Sequence, residues 1–92
     1  RFPVNSLKID QSFVREVNTD EEVAALTRAI IKLAETFGLD VIAEGVEGAG
    51  QLEFLEQNNC YLIQGYHFSK PLAADKFIAY LRNTGKEKLR IV

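Results

Sequence analysis

Val41-Ile42-Ala43-Glu44-Gly45-Val46-Glu47 is an apolar run that ends on a carboxylate and then turns on a glycine. The residues before Glu44 read as a short buried strand. An acid at the end of such a strand is costly to bury unless it is paired, hydrogen-bonded or bound to a metal. Glu44 is therefore a site candidate first and a packing residue second. Leu7-Lys8-Ile9-Asp10 and Leu62-Ile63-Gln64-Gly65-Tyr66 repeat the arrangement of apolar residues followed by a polar strand end. Three strands ending this way imply one shared site.

Just before the central run, Gly38 closes a helix expected over about residues 20–37. Val23, Leu26, Ile30, Leu33 and Phe37 follow helical spacing and predict one buried stripe. Thr19-Asp20-Glu21-Glu22 fits a capping box in which the Thr hydroxyl accepts from first-turn amides. Asp20, Glu21 and Glu22 also suit the positive end of the helix dipole. A helix joined by a glycine to an apolar, β-branched strand is the second half of a strand-helix-strand unit, with parallel strands and a right-handed crossover. Val41 and Ala43 on one face with Ile42 and Glu44 on the other mean burial on both sides, as parallel sheets require.

The first strand alternates in the same way, with Leu7 and Ile9 on one face and Ser6, Lys8 and Asp10 on the other. Taken alone, that is also the pattern of an edge strand with a solvated polar face. Phe13, Val14 and Val17 follow as a short turn or half-turn of helix that packs down. After the central run, Gly48-Ala49-Gly50 leads into a short helix over about residues 51–57. Its Leu52 and Leu55 face inward and its Glu53 and Glu56 face water. Asn58-Asn59 ends it, since Asn tolerates the left-handed conformation. The third strand is expected over residues 60–66, with Leu62 and Gln64 on one face and Tyr61 and Ile63 on the other. A loop over residues 67–72 and a helix over about residues 73–82 complete the order.

Composition excludes several classes. The chain has 92 residues, 47% hydrophobic and 26% charged, as in ordinary soluble globular proteins. Its apolar runs are far shorter than the ~20 residues of a membrane span, and its start carries no signal-peptide pattern. Eleven basic and thirteen acidic side chains give a net charge of -2, which does not support a broad nucleic-acid footprint. Lys86, Lys88 and Arg90 read as a solvated tail. One cysteine, Cys60, excludes an internal disulfide and a cysteine zinc site and suits a reducing cytoplasm; it reads as a small buried apolar residue. Arg1-Phe2-Pro3-Val4 starts without a methionine and enters a strand within a few residues, as expected of a fragment.

Three consecutive βα units fit part of a (β/α)8 barrel or part of an open doubly wound sheet. In both, the ligand lies beyond the carboxyl ends of the strands. Taking Leu7, Ile9, Val41, Ala43, Tyr61 and Ile63 as helix-facing leaves Lys8, Asp10, Glu44 and Gln64 inward at one end. They converge only in a closed or strongly curved sheet. The expected class is α/β, three consecutive βα units of a TIM-like (β/α)8 barrel with parallel strands. A whole barrel runs to about 250 residues, so this is a partial barrel.

Leu7-Lys8-Ile9-Asp10-Gln11-Ser12-Phe13-Val14, Ala43-Glu44-Gly45-Val46-Glu47 and Gln64-Gly65-Tyr66-His67-Phe68-Ser69-Lys70-Pro71-Leu72 together resemble, in this order, the last three strand-end motifs of EAL domains. Each motif alone is weak, whereas three in order, over essentially the whole chain, are specific. The resemblance implies that residues 1–92 are a C-terminal fragment of a bacterial cyclic di-GMP phosphodiesterase with a TIM-like barrel. Such a domain hydrolyses the cyclic dinucleotide to linear pGpG with water and two Mg²⁺ or Mn²⁺ ions. Lys8 is similar to the family lysine near the attacking water, where an ammonium offsets phosphoryl charge. Glu44 resembles the metal ligand or general base, and Asp10 the neighbouring aspartate that contacts the metal or supports the lysine or a metal-bound water. Gln64 matches the substrate-reaching glutamine and Glu47 a glutamate that steadies the site.

The departures matter too. The family's Glu-Ala-Leu motif, its Asn and Glu ligands and its Asp-Asp-Phe-Gly loop are absent, and Glu44 with Asp10 cannot clamp two ions about 3.5 to 4 Å apart. Gly48-Ala49-Gly50 stands where Thr-Glu-Glu is expected, which removes a helix cap, and Tyr61 stands where an aspartate is common. The 92 residues alone are therefore expected to be inactive. Two other classes stay open: a degenerate member that binds cyclic di-GMP as a receptor, and an α/β protein-interaction module. Ile42 and Leu62 would be left facing an incomplete interior, so self-association or pairing with the missing barrel half is expected.

Overall fold

Ser6–Ile9 (β1), Asp40–Ala43 (β2), Leu62–Ile63 (β3) and Arg90–Ile91 (β4) form one parallel sheet in the order β1-β2-β3-β4. Among the described residues the connections contain three helices, Gln11–Glu16 (α1), Glu21–Thr36 (α2) and Ala49–Gln57 (α3). The computed structural model describes residues 5–64, 79 and 88–92. The expected loop at residues 67–72, with His67, Phe68 and Pro71, and the helix at residues 73–82 lie outside them.

One face of the sheet carries Ile9, Val41, Ala43 and Ile63. Against it pack Val14 of α1, Ile31 and Ala34 of α2, and Leu52 and Leu55 of α3. All three helices thus cover the same face. A doubly wound sheet would distribute them over both, so the arrangement is that of a barrel segment. Fully burying a side chain such as Leu55 or Ile63 stabilises the fold by about 1.5–3 kcal/mol. Cys60 is buried among them, with its Sγ 3.7 Å from the carbonyl of Val41. Burial pushes its thiol up to about 12, a hydrogen bond with the Leu62 backbone offsetting part of the effect.

Both long helices end in the same way. At α2, Gly38 has φ +71°, its N–H donates to Glu35 O, and the next N–H, of Leu39, donates to Ala34 O. At α3, Asn59 has φ +66°, its N–H donates to Glu56 O, and the N–H of Cys60 donates to Leu55 O. These are two Schellman turns, each leading into a strand. The expectation that Gly38 and Asn58-Asn59 stop the helices is met.

Four expectations change. The first concerns the cap of α2, which is Asp20 and not Thr19. Asp20 Oδ1 accepts from the N–H groups of Glu22 at 2.9 Å and Val23 at 3.3 Å, while Thr19 Oγ1 donates to Glu16 O. A carboxylate is a stronger acceptor than a hydroxyl at the positive end of a helix. The second is the buried stripe of α2, which is Ala24, Thr27, Ile31 and Ala34. Leu26, Leu33 and Phe37 are exposed at 48%, 59% and 70%. Two neighbouring stripes share helical spacing, and the one with small side chains lets the helix lie close to the sheet. Buried Thr27 satisfies its hydroxyl by donating to Val23 O at 2.7 Å.

The third change is at the tail. Lys88 and Arg90 are exposed, but Leu89 is buried and Arg90–Ile91 pairs with β3. The ladder supplies partners that the charge run did not reveal. Fourth, α3 begins two residues earlier than expected, and its Glu56 is half-buried. Ile42 and Leu62 are half-buried. Among the described residues, the exposed large apolar side chains are Leu26, Leu33 and Phe37 on and just after α2 and Ile91 and Val92 at the tail; Leu33 and Phe37 line, with Leu7 and Phe13, a cleft of about 320 Å³. Among the described residues, β1 is paired on one side only.

Candidate active site at the carboxyl ends of the strands

Register brings the polar strand ends together. Lys8, Ile42, Leu62 and Arg90 lie opposite one another across the sheet. Two residues further along, past the Ile9, Ala43 and Ile63 row, the ladder continues through Glu44 N–H to Ile9 O at 3.1 Å and Gln64 N–H to Ala43 O at 2.9 Å. Asp10, Glu44 and Gln64 therefore form a row, with neighbouring backbones about 4.8 Å apart. Strand alternation puts this row and Lys8 on the face opposite the helices.

Each strand end is held differently. Asp10 has φ -62°, ψ 149° and caps α1, its Oδ2 accepting from Ser12 N–H at 3.0 Å and from Ser12 Oγ at 2.6 Å. The Ser12 hydroxyl, then its N–H and more weakly the charge of Arg15, hold the Asp10 carboxyl below its ordinary value. Asp10 and Lys8 are both exposed. Two residues apart on one strand, they supply an anion and a cation to the same surface.

Glu44 is half-buried. Beyond it the chain turns on Gly45, whose φ is +71° and whose added Cβ would overlap Cβ of Gln11. A glycine is required there twice over, by backbone angle and by close approach. The contact ties the β2 loop to the start of α1, beside Asp10. Val46 is buried, and exposed Glu47 donates its N–H to Gln51 Oε1 at 2.6 Å.

Gln64 is only 8% exposed, and among the described residues its Oε1 has no hydrogen-bond partner. A buried acceptor left without a donor costs about 1–3 kcal/mol. Such an amide, in a backbone row with two carboxylates, suits a ligand that brings hydrogen-bond donors. Among the described residues no group of three His, Cys, Asp or Glu side chains stands close enough to hold an ion.

Two contributors escape a reading by strand ends. Ser12 is signalled by the Asp-x-Ser spacing, in which a carboxylate reaches an N–H two residues on. Gln51 is signalled by its place three residues after the start of a helix, the inner member of a capping box. Among the described residues, no helix is long and apolar enough to cross a membrane.

Comparison with known proteins bears on the family and the fold. Residues 1–71 match the family described as EAL domain. The chain is 42% identical over 82 residues to cyclic di-GMP phosphodiesterase NbdA of Pseudomonas aeruginosa, covering 89% of this chain and 10% of that protein. It is 43% identical over 77 residues to cyclic di-GMP phosphodiesterase PdeR of Escherichia coli, covering 84% and 12%. A solved structure, the PaMucR phosphodiesterase in a c-di-GMP complex, superposes with a TM-score of 0.66 at 38% identity, covering 83% of this chain and 31% of that one. The chain thus spans about a tenth of the length of these curated relatives.

Proposed function

The chain belongs to the EAL domain family, and from that premise we propose that residues 1–92 are about the last three strand-helix units of a phosphodiesterase domain. That domain hydrolyses cyclic di-GMP to linear pGpG by metal-assisted attack of water. The observation that carries the reading is the row of Asp10, Glu44 and Gln64, with the buried Gln64 Oε1 lacking a partner. Guanine N–H groups and ribose hydroxyls are donors, and either would satisfy that oxygen. The two relatives whose names specify cyclic di-GMP phosphodiesterase support the substrate.

Lys8 and Glu44 are the catalytic pair of this proposal. The Lys8 ammonium offsets charge that develops on the phosphoryl oxygens, and the Glu44 carboxylate accepts a proton from the attacking water. Gln64 holds the substrate, and Glu47 steadies the loop that carries Glu44. Asp10 and Glu44 are the carboxylates this chain would offer to Mg²⁺ or Mn²⁺. They do not suffice. Magnesium demands near-octahedral oxygen coordination, and one oxygen of Asp10 already accepts two bonds from Ser12. The remaining ligands belong to the rest of the domain, and the 92 residues alone are inactive.

That commitment of Asp10 favours a second reading, a receptor that binds cyclic di-GMP without cutting it. The chain works in the cytoplasm, where a lone buried thiol stays reduced. The β1 edge, paired on one side only among the described residues, and the apolar cleft favour self-association or pairing with the rest of the barrel.

Calorimetric titration of cyclic di-GMP, with Mn²⁺ present, into the wild-type chain and its Gln64→Leu variant tests the proposal. Expected are wild-type binding, a roughly tenfold or greater loss in the variant, about 1.4 kcal/mol, and no pGpG. Equal affinities would remove Gln64 from the site. Turnover by the chain alone would contradict its inactivity, and no wild-type binding at millimolar ligand would sink the reading.

A further inference from the structure

The start of α3 is held in a way that α1 and α2 are not. In those helices a carboxylate reaches forward: Asp10 accepts from Ser12, and Asp20 accepts from Glu22 and Val23. At α3 the capping position is Gly48, extended at φ -152°, ψ 164°. It has no side chain to offer, and the first turn contains no acid. The initial N–H groups of a helix need acceptors from outside its own ladder, and a Ser, Thr, Asp or Asn ordinarily supplies one.

Here Gln51 reaches backward instead. Its Oε1 accepts from Glu47 N–H at 2.6 Å and from Gly48 N–H at 3.3 Å. Two N–H donors at one end of the amide identify that end as oxygen. A forward cap serves the helix that bears it, whereas this bond serves the loop before the helix. At its other end, the same loop is fixed by Glu44 N–H to Ile9 O and by Gly45 against Gln11. Buried Val46 lies between. The loop is pinned at both ends, and Gln51 supplies the downstream pin through a side chain.

We infer that Gln51 is a positioning residue for the proposed site, acting through the main chain at Glu47 to hold the Glu44–Glu47 loop. It ties the loop to the helix start, and does not replace the forward side-chain cap that Gly48 lacks. The inference rests on the proposed site for its functional meaning, and on the two hydrogen bonds for its mechanism.

Amide hydrogen exchange of the 92-residue chain, followed by NMR in wild type, Gln51→Ala and Gln51→Glu, tests it. Gln51→Ala should speed exchange at Glu47 and Gly48 about fivefold, the worth of one ordinary hydrogen bond, and leave Leu55 and Ala43 unchanged. Gln51→Glu keeps an acceptor and should restore protection. Unchanged exchange at Glu47, or an equal loss throughout α3 that Glu does not rescue, would overturn the inference. Amide shifts at Glu44 and Glu47 on adding cyclic di-GMP to wild type report the site separately. Their absence removes the ligand reading, while the exchange pattern still decides what Gln51 does.

Discussion

The Glu44–Glu47 loop and the outer flank of α2 both carry large apolar side chains, yet Val46 is 2% exposed and Phe37 is 70% exposed. The loop is short, irregular and polar at both ends, and it is fixed by a ladder bond, a left-handed glycine and a backward cap. The helix is long and regular, and its bulkiest stripe still has little beneath it. Backbone constraints determine position at the strand ends. On the helix, size decides which of two similar stripes meets the sheet.

Breaking the loop should have the largest effect. Gly45→Ala forces a side chain into the left-handed region, at about 1–2 kcal/mol, and drives its Cβ into Gln11, at about 1–3 kcal/mol. Urea unfolding should lose roughly 3 kcal/mol or more, and Gln11→Gly in the same chain should recover the overlap part alone. A loss below about 1 kcal/mol would mean that the loop is not held as described.

A paired test sharpens the contrast on α2. Ala34→Leu overfills the close face and should cost about 1–3 kcal/mol. Phe37→Ser should change stability by no more than about 0.5 kcal/mol while lowering self-association in sedimentation. If the two costs were reversed, the expected stripe of Leu26, Leu33 and Phe37 would be the buried one after all. At the start of the same helix, thermal unfolding should register a loss of about 1 kcal/mol for Asp20→Ala and only a few tenths for Thr19→Ala.

The smallest effect belongs to Ser12. The Asp10 carboxyl is held below its ordinary value in the fold, so its contribution is present above that ordinary value and is lost as pH falls through the depressed one. Ser12→Ala removes the hydroxyl, the largest cause, and should move the NMR titration of Asp10 upward. No movement would leave the N–H of residue 12 as the main cause.

What could be read from residues alone follows the same division. Glycine at Gly38 and Gly45 and asparagine at Asn59 each express a local backbone demand, and the turns they make lie where expected. The α2 stripe differs from expectation because spacing cannot rank Ala24-Thr27-Ile31-Ala34 against Val23-Leu26-Ile30-Leu33-Phe37. Thr19 and Asp20 are both good caps one residue apart, so residue type alone does not choose between them. Arg90–Ile91 escaped because its partner is a strand far upstream, and nothing local in a basic tail encodes that pairing. The bonds from Ser12 and Gln51 are short-range but side-chain specific, so they surface only once the helix starts are fixed.

The matched turns after α2 and α3 also act as a phase lock. Each delivers its strand to the sheet with the count of residues fixed between the last helical carbonyl and the first ladder bond. One residue inserted between Gly38 and Asp40 would advance β2 by half a pleat. Ala43 would swing away from the helices, and Glu44 would be carried beneath them, so the spacing of a turn decides on which side of the sheet the acid lies.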